Sequence, residues 1–216
     1  MKRFFIYTLC ALAFVGSEVY GWGEQEMETS PTHFSFAFRG GFFFPNDDDF
    51  RRVYGKWTND IYFIEFGWYP IKNFSVSFMV GGYYQDSNTV GEITLSHSGE
   101  NLELVLAPME LGLSYLFRFK ASQFVVPYIG AGYDAIYFHE DADPGSPVEG
   151  WKEGYTFRGS MLLLLDRLEP SSAWKLFSSF GIDNSYLEIG ARYTQTMGGG
   201  LDLSGPTATL GVVFEF

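Results

Sequence analysis

Eight separate stretches of this chain carry large apolar side chains at every second position, and no other feature restricts its possible folds so severely. A period of two is the period of an extended strand, whose successive side chains point to opposite faces. In the first stretch Phe34, Phe36 and Phe38 oppose Ser35, Ala37 and Arg39; in the second Tyr62, Ile64, Phe66 and Trp68 oppose Glu65 and Gly67. Phe74, Val76, Phe78 and Val80 stand against Ser75, Ser77 and Gly81, and Leu111, Leu113, Tyr115, Phe117 and Phe119 against Glu110, Gly112, Ser114 and Arg118. The fifth stretch sets Ile129, Ala131, Tyr133 and Tyr137 against Tyr128, Gly130, Gly132 and Asp134, and the sixth Tyr155, Phe157, Met161 and Leu163 against Thr156, Arg158 and Ser160. The seventh sets Leu187, Ile189, Ala191 and Tyr193 against Glu188, Gly190, Arg192 and Thr194. In the last, Ala208, Leu210, Val212, Phe214 and Phe216 share a face, and Glu215 lies on the other.

One face is thus aromatic and aliphatic, the other glycine, serine, threonine and single charges. Eight strands with several large aromatics each do not fit their greasy faces inside one small barrel, which holds only a few layers of side chains. The polar face, rich in glycine and serine and poor in lysine, does not suit a soluble surface either. The inverse arrangement accommodates both: the greasy face meets lipid, and small or charged residues fill the interior. The sequence therefore predicts an all-β fold, an eight-stranded antiparallel up-and-down transmembrane β-barrel.

The connections agree. Only "PIKN" joins stretches two and three, and "KASQ" joins four and five. Long polar segments join the others: "PNDDDFRRVYGKW", the segment from Asp86 on, "HEDADPGSPVEGWKE" and "MGGGLDLSGP". Short turns at one rim and long loops at the other are the habit of such barrels. One connection breaks the alternation. Residues 166–183 fall on the short-turn side but are long, with Pro170 near the start of "SSAWKLFSSF" and Gly181 after it. That pattern predicts a short helix between strands 6 and 7, with Trp174, Phe177 and Phe180 near one face. The helix is expected to lie at the inner membrane interface or to close the barrel floor.

Residues 1–21 read as a secretory leader: Lys2 and Arg3, an apolar run from Phe4 to Val15, then small residues. Cleavage after Gly21 or after Ser17 fits, leaving 22–216 as the barrel; an uncleaved amphipathic helix is the alternative. Leu9 before Cys10 is too bulky for a lipoprotein site. Loss of the leader removes Cys10, the only cysteine, so neither disulfides nor thiol chemistry are expected. The formal charge of −12 argues against nucleic acid, whose phosphates need lysine and arginine.

The inward-facing charges are the most informative set: Arg39, Arg118, Arg158 and Arg192 against Glu65, Glu110, Asp134, Glu188 and Glu215. A charge on the lipid face at mid-depth costs about 2–4 kcal/mol, so all nine are expected in the lumen. Each then needs a partner, because an unpaired buried charge is far costlier than a paired one. A salt-bridged, mostly closed core is expected, and a narrow ion path is the alternative. Among the three histidines, His97 lies in "SHSGE" with Ser96, Ser98 and Glu100; an immediate Ser–His pair is spoiled because strand neighbours point to opposite faces. "NDDDF" and "HEDADPG" are acidic but lack the spacing of an EF-hand loop. Trp57, Trp68, Tyr69, Tyr84, Tyr137 and Trp151 gather toward strand ends and suit interfacial girdles. No nucleotide or zinc motif occurs, and no cofactor is expected.

With these residues in view, 32–216 resembles the small eight-stranded bacterial outer-membrane β-barrel proteins of the OmpA-barrel and OmpX type. Leu210, Val212, Phe214 and the terminal Phe216 match the signal that the outer-membrane insertion machinery reads, and "PYIGAGYD" is a common strand type in such barrels. The resemblance implies export to the outer membrane and contact with its lipid and lipopolysaccharide. It also implies periplasmic chaperones and the insertion machinery as partners, and an extracellular ligand for the outer loops. No catalytic motif of the lipid A-modifying barrels carries over, and no enzymatic role is expected. An OmpW-like channel for small solutes is similar in size, but the charged interior argues against a greasy lumen.

Overall fold

A computed structural model of the chain describes residues 33–47, 59–87, 101–120, 123–143, 147–198 and 202–216. The predicted leader, His97, Asp48 and Asp49 lie outside them, as does Trp57. Eight strands follow one another round a closed antiparallel barrel: β1 (Phe34–Phe43), β2 (Asn59–Ile71), β3 (Phe74–Ser87), β4 (Asn101–Leu116), β5 (Val125–Asp143), β6 (Val148–Leu164), β7 (Asn184–Thr196) and β8 (Gly205–Glu215). One helix, α1 (Pro170–Phe180), stands between β6 and β7. Strand count, order and helix match the sequence-based expectation.

Closure is made by β1 against β8, with Phe36 opposite Phe214 and Arg39 opposite Gly211. The seam runs on past both strands, where Phe216 N–H donates to Phe34 O at 2.9 Å and His33 N–H to Phe216 O at 2.8 Å. Alternation is strict in β2, whose residues from Asn59 to Pro70 switch face at each step. The outward row Phe214–Phe36–Phe66–Phe78–Leu111–Tyr133–Tyr155 crosses seven strands in hydrogen-bonded register. These side chains face outward, and Phe66 and Leu111 are more than half exposed. Most large apolar residues of the alternating stretches are on the outside, as expected.

The strands are unequal. β1 has 10 residues and β5 has 19, so β4, β5 and β6 form a tall wall at the long-loop rim. The sequence alternation begins β4 at Met109, yet the strand starts at Asn101. Two causes hid those residues. Pro108 has no N–H, and the β3–β4 ladder is interrupted there, between the Val80–Met109 and Tyr83–Leu106 pairs. Polarity also inverts: Leu104 and Leu106 point inward and are buried, while Glu103 points out. β4 ends at Leu116, so Phe117, Arg118 and Phe119 belong to the turn rather than to the strand. Tyr69 departs from its girdle assignment. It shares the inward parity of Glu65 and Gly67 and is buried, whereas Trp68, Tyr84 and Trp151 are exposed on the outside.

α1 is bounded as the sequence predicts. Pro170 occupies its first turn, where a missing N–H costs nothing, and Gly181 takes the left-handed conformation at φ 71° that ends it. No residue of α1 is buried. The helix therefore does not close the barrel floor, because Tyr69, Leu116, Val126, Leu164 and Tyr186 already fill that end of the lumen.

Candidate functional site

Inside the barrel the charges form a belt between two apolar layers. Toward the long-loop rim lie Phe43, Ile61, Phe63, Met79, Tyr83, Leu104, Leu106, Ile136 and Leu203. Toward the short-turn rim lie Ala37, Tyr69, Leu116, Val126, Tyr128, Leu162, Leu164, Tyr186 and Val213. The sequence pattern places small or charged residues inside and does not reveal these layers. The signal is there in part, since Ile61, Phe63 and Tyr69 share parity with Glu65.

The belt is one continuous chain of ion pairs from Glu188 to Asp134. Arg39 Nε donates to Glu188 Oε2 at 2.8 Å, and its Nη2 to Glu65 Oε1 at 3.2 Å. Glu65 is shared with Arg158, whose Nη1 also lies 3.7 Å from Glu110. Arg192 Nη2 completes the chain, 2.9 Å from Glu110 and 3.3 Å from Asp134. Hydroxyls satisfy some of the remaining donors and acceptors, while Arg39 Nη1, Arg158 Nε and both Glu110 carboxylate oxygens have no hydrogen-bond partner. Ser77 and Ser114 accept from Arg158 at 2.7 and 2.8 Å, and Tyr128 donates to Glu188 at 2.7 Å. Thr156 donates to Asp134 and accepts from Arg192 at 3.1 Å. Arg192 also lies 4.7 Å above the Phe63 ring, a cation–π contact.

Register explains why these partners sit across the lumen. Glu110 lies directly opposite Asp134 on β4–β5, and Arg158 directly opposite Arg192 on β6–β7. Like charges opposite one another destabilise a strand pair. Here they are neutralised across the lumen, by residues up to 93 positions away in sequence. Only the closed barrel supplies those partners.

The remaining two sequence-predicted lumen charges stand apart. Arg118, in the β4–β5 turn, pairs with Glu215 near the short-turn rim. Tyr69 donates to the same carboxylate at 3.1 Å and Asn184 at 3.3 Å, and the Arg118 guanidinium lies 5.3 Å over the Tyr69 ring. All nine sequence-predicted charges therefore face inward; seven form the belt and two form this rim cluster.

Glycine supplies the space. A Cβ on Gly132 would come within 2.6 Å of Glu110 Cγ, so the belt carboxylate lies flat over that position. Gly132→Val is expected to displace Glu110 and lower stability by about 1–3 kcal/mol, read as an earlier urea midpoint in detergent or vesicles.

The belt is dry. Its Asp134 exposes 0% of its surface and its Glu110 and Glu188 expose 1%, and Glu215 of the rim cluster likewise exposes 0%. A hole of about 30 Å³ lies above the belt between Phe43, Phe63, Ile136, Leu203 and Arg192, and another of about 10 Å³ lies beside Arg39, Arg158 and Glu188. The larger has room for roughly one or two waters. Leu203 is inserted into the mouth by a tied connection. Asp202 accepts from Ser204 N–H at 2.9 Å and from Thr196 at 2.8 Å. Partial burial pulls the Asp202 carboxyl upward, but these bonds outweigh it and hold it below the usual carboxylate range. Among the described residues no cluster of histidine, cysteine and carboxylate has the makings of a metal site.

Among the described residues, the charges on the outer faces of the strands lie at one end, while Lys72, Lys120, Arg167, Glu169 and Lys175 lie in the turns and helix of the other rim. Asp60, Glu103, His139, Asp141, Glu149 and Glu153 have outward parity, and all sit at the long-loop ends of their strands. Tyr137 and Trp151, ring centroids 5.4 Å apart, mark the edge of this zone; His139 lies 3.6 Å from Glu149. At the other rim Phe34, Trp68, Tyr115 and Phe216 form an exposed aromatic border.

Comparison with solved structures finds the same architecture. The outer membrane protein OprG of Pseudomonas aeruginosa superposes with a TM-score of 0.58 at 13% identity, covering 87% of this chain and 98% of that one. The N-terminal β-barrel domain of Pseudomonas aeruginosa OprF gives 0.53 at 13% identity, with 87% and 100% covered. Neisserial surface protein A gives 0.52 at 14% identity, with 87% and 98% covered. No protein-family model and no curated protein sequence matches the chain. The likeness is one of fold: this chain folds as the small eight-stranded outer-membrane barrels do.

Proposed function

We propose that the chain is an integral protein of the bacterial outer membrane whose barrel is a sealed scaffold, not a pore, and whose tall wall presents a surface outside the cell. The dryness of the belt carries the reading: four lumen carboxylates meet essentially no solvent-sized space. Membrane residence is supported by the outward apolar band. On β5 that band runs from Val125 to Ala135, which stands opposite Glu153 on β6; it is about 33 Å along the strand and about 25 Å high at a tilt near 40°, the height of an outer-membrane barrel's apolar band. Above it the exterior turns acidic, which fits a wall standing clear of lipid. Leu210, Val212, Phe214 and Phe216 alternate along the outward face, which supports their reading as the signal for the insertion machinery.

Planar-bilayer recording tests the sealed lumen. The refolded protein is expected to add no steady conductance. A stable open current that Glu65→Ala or Arg158→Ala alters would replace the scaffold with a narrow channel.

A further inference from the structure

The feature left unused by a sealed barrel is α1. On a helical projection Leu176, Phe180, Ala173, Phe177, Pro170 and Trp174 fall on one continuous arc, and Ser171, Ser172, Lys175, Ser178 and Ser179 fill the rest. An amphipathic helix of this quality ordinarily buries its apolar face, yet none of these residues is buried; Trp174 is 56% and Phe180 70% exposed. The lumen cannot take them, since the floor is already filled by tyrosines and aliphatics. The helix is also held at the rim. Leu165 N–H donates to Ser185 O at 2.8 Å on the way out, and Asp183 N–H to Glu215 O at 2.7 Å on the return. Both legs thus leave from the edge where the outward apolar band of β6 and β7 ends.

We propose that α1 lies in the membrane interface at the short-turn rim, its aromatic arc among the acyl chains of the adjoining leaflet and its serine face toward water. The occupant is lipid because the exposed apolar arc is tethered within a few residues of the barrel's own lipid-facing surface, at the rim where the outward apolar band of β6 and β7 ends. Aromatic side chains at the headgroup level and a lysine on the polar side are the chemistry such helices use. The inference rests on the outward face of the strands being the lipid face, and the test separates the two.

The full chain with Cys10 replaced by serine is refolded into phosphatidylethanolamine–phosphatidylglycerol vesicles. Nitroxide labels are placed singly through Phe177→Cys, Ser179→Cys and Leu210→Cys. Collision rates with oxygen and with a water-soluble nickel chelate are then compared. At Phe177→Cys the oxygen rate is expected to match that of Leu210→Cys, with nickel collisions several-fold lower than at Ser179→Cys. Equal nickel access at positions 177 and 179, with position 210 protected, would overturn the helix placement alone. Protection of position 177 from both reagents would overturn it in favour of a protein contact. Nickel access at position 210 would overturn the membrane reading beneath it.

Discussion

Arg158→Leu is expected to destabilise the barrel by about 3–5 kcal/mol, the cost of stripping a buried charge of its partner. Arg158 touches Glu65, Glu110, Ser77 and Ser114, which come from β2, β3 and β4 on the facing wall. Its loss leaves Glu65 with Arg39 alone and Glu110 with Arg192 alone, in a lumen whose holes have room for only about one or two waters. The belt already holds three guanidiniums against four carboxylates, so no spare cation can move in. The double variant Glu65→Leu/Arg158→Leu removes both signs and is expected to recover most of the loss, because an apolar pair of similar volume replaces an ion pair at little cost. Urea unfolding in vesicles, followed by tryptophan emission, measures both. If Arg158→Leu stays within about 0.5 kcal/mol of the parent, as a surface change would, the belt is wet and the sealed-lumen reading fails.

Which way each lumen charge points follows from strand parity and from the cost of charge in lipid, and the amino-acid sequence makes this legible at all nine positions. Which charge meets which is not legible there. Partners such as Arg39 and Glu188 lie on strands that are not hydrogen-bonded neighbours, and their pairing depends on how the barrel closes. The rule that apolar means outward also has a limited range. It already misses the inward apolar layers that hold Phe63, Tyr69, Leu162 and Val213, and it reverses at the tall ends of β4 and β5, where Leu104, Leu106 and Ile136 turn in and Glu103, His139 and Asp141 turn out. Those ends follow the pattern of a water-soluble sheet over an apolar core, so lipid-facing alternation ends those strands short. α1 is legible by its Pro170 and Gly181 boundaries, but not by its burial: whether the arc closes the floor or leaves the barrel depends on how full the lumen already is.

Phe157→Arg puts the same side chain one residue from Arg158 and is expected to have the opposite consequence. Phe157 is 63% exposed on the outside of β6, and Arg158 is 9% exposed inside. Phe157 stands four positions below Glu153 and six above Leu163 in the outward band, near mid-depth. An arginine on the lipid face at that depth costs about 2–4 kcal/mol, and close to zero near the interface. Phe157→Arg is therefore expected to lose that amount in vesicle unfolding, while Glu153→Arg, at the acidic edge, stays within about 1 kcal/mol of the parent. Both variants place an arginine on the same face of the same strand at different depths, and position 153, which already carries a charge and exchanges one sign for the other, shows what an arginine costs at the edge of the band. A soluble sandwich or a barrel standing in water would treat them alike, so equal stability of the two would remove the membrane from every inference drawn on the outer face. A loss confined to position 157 would fix the bilayer boundary between it and Glu153.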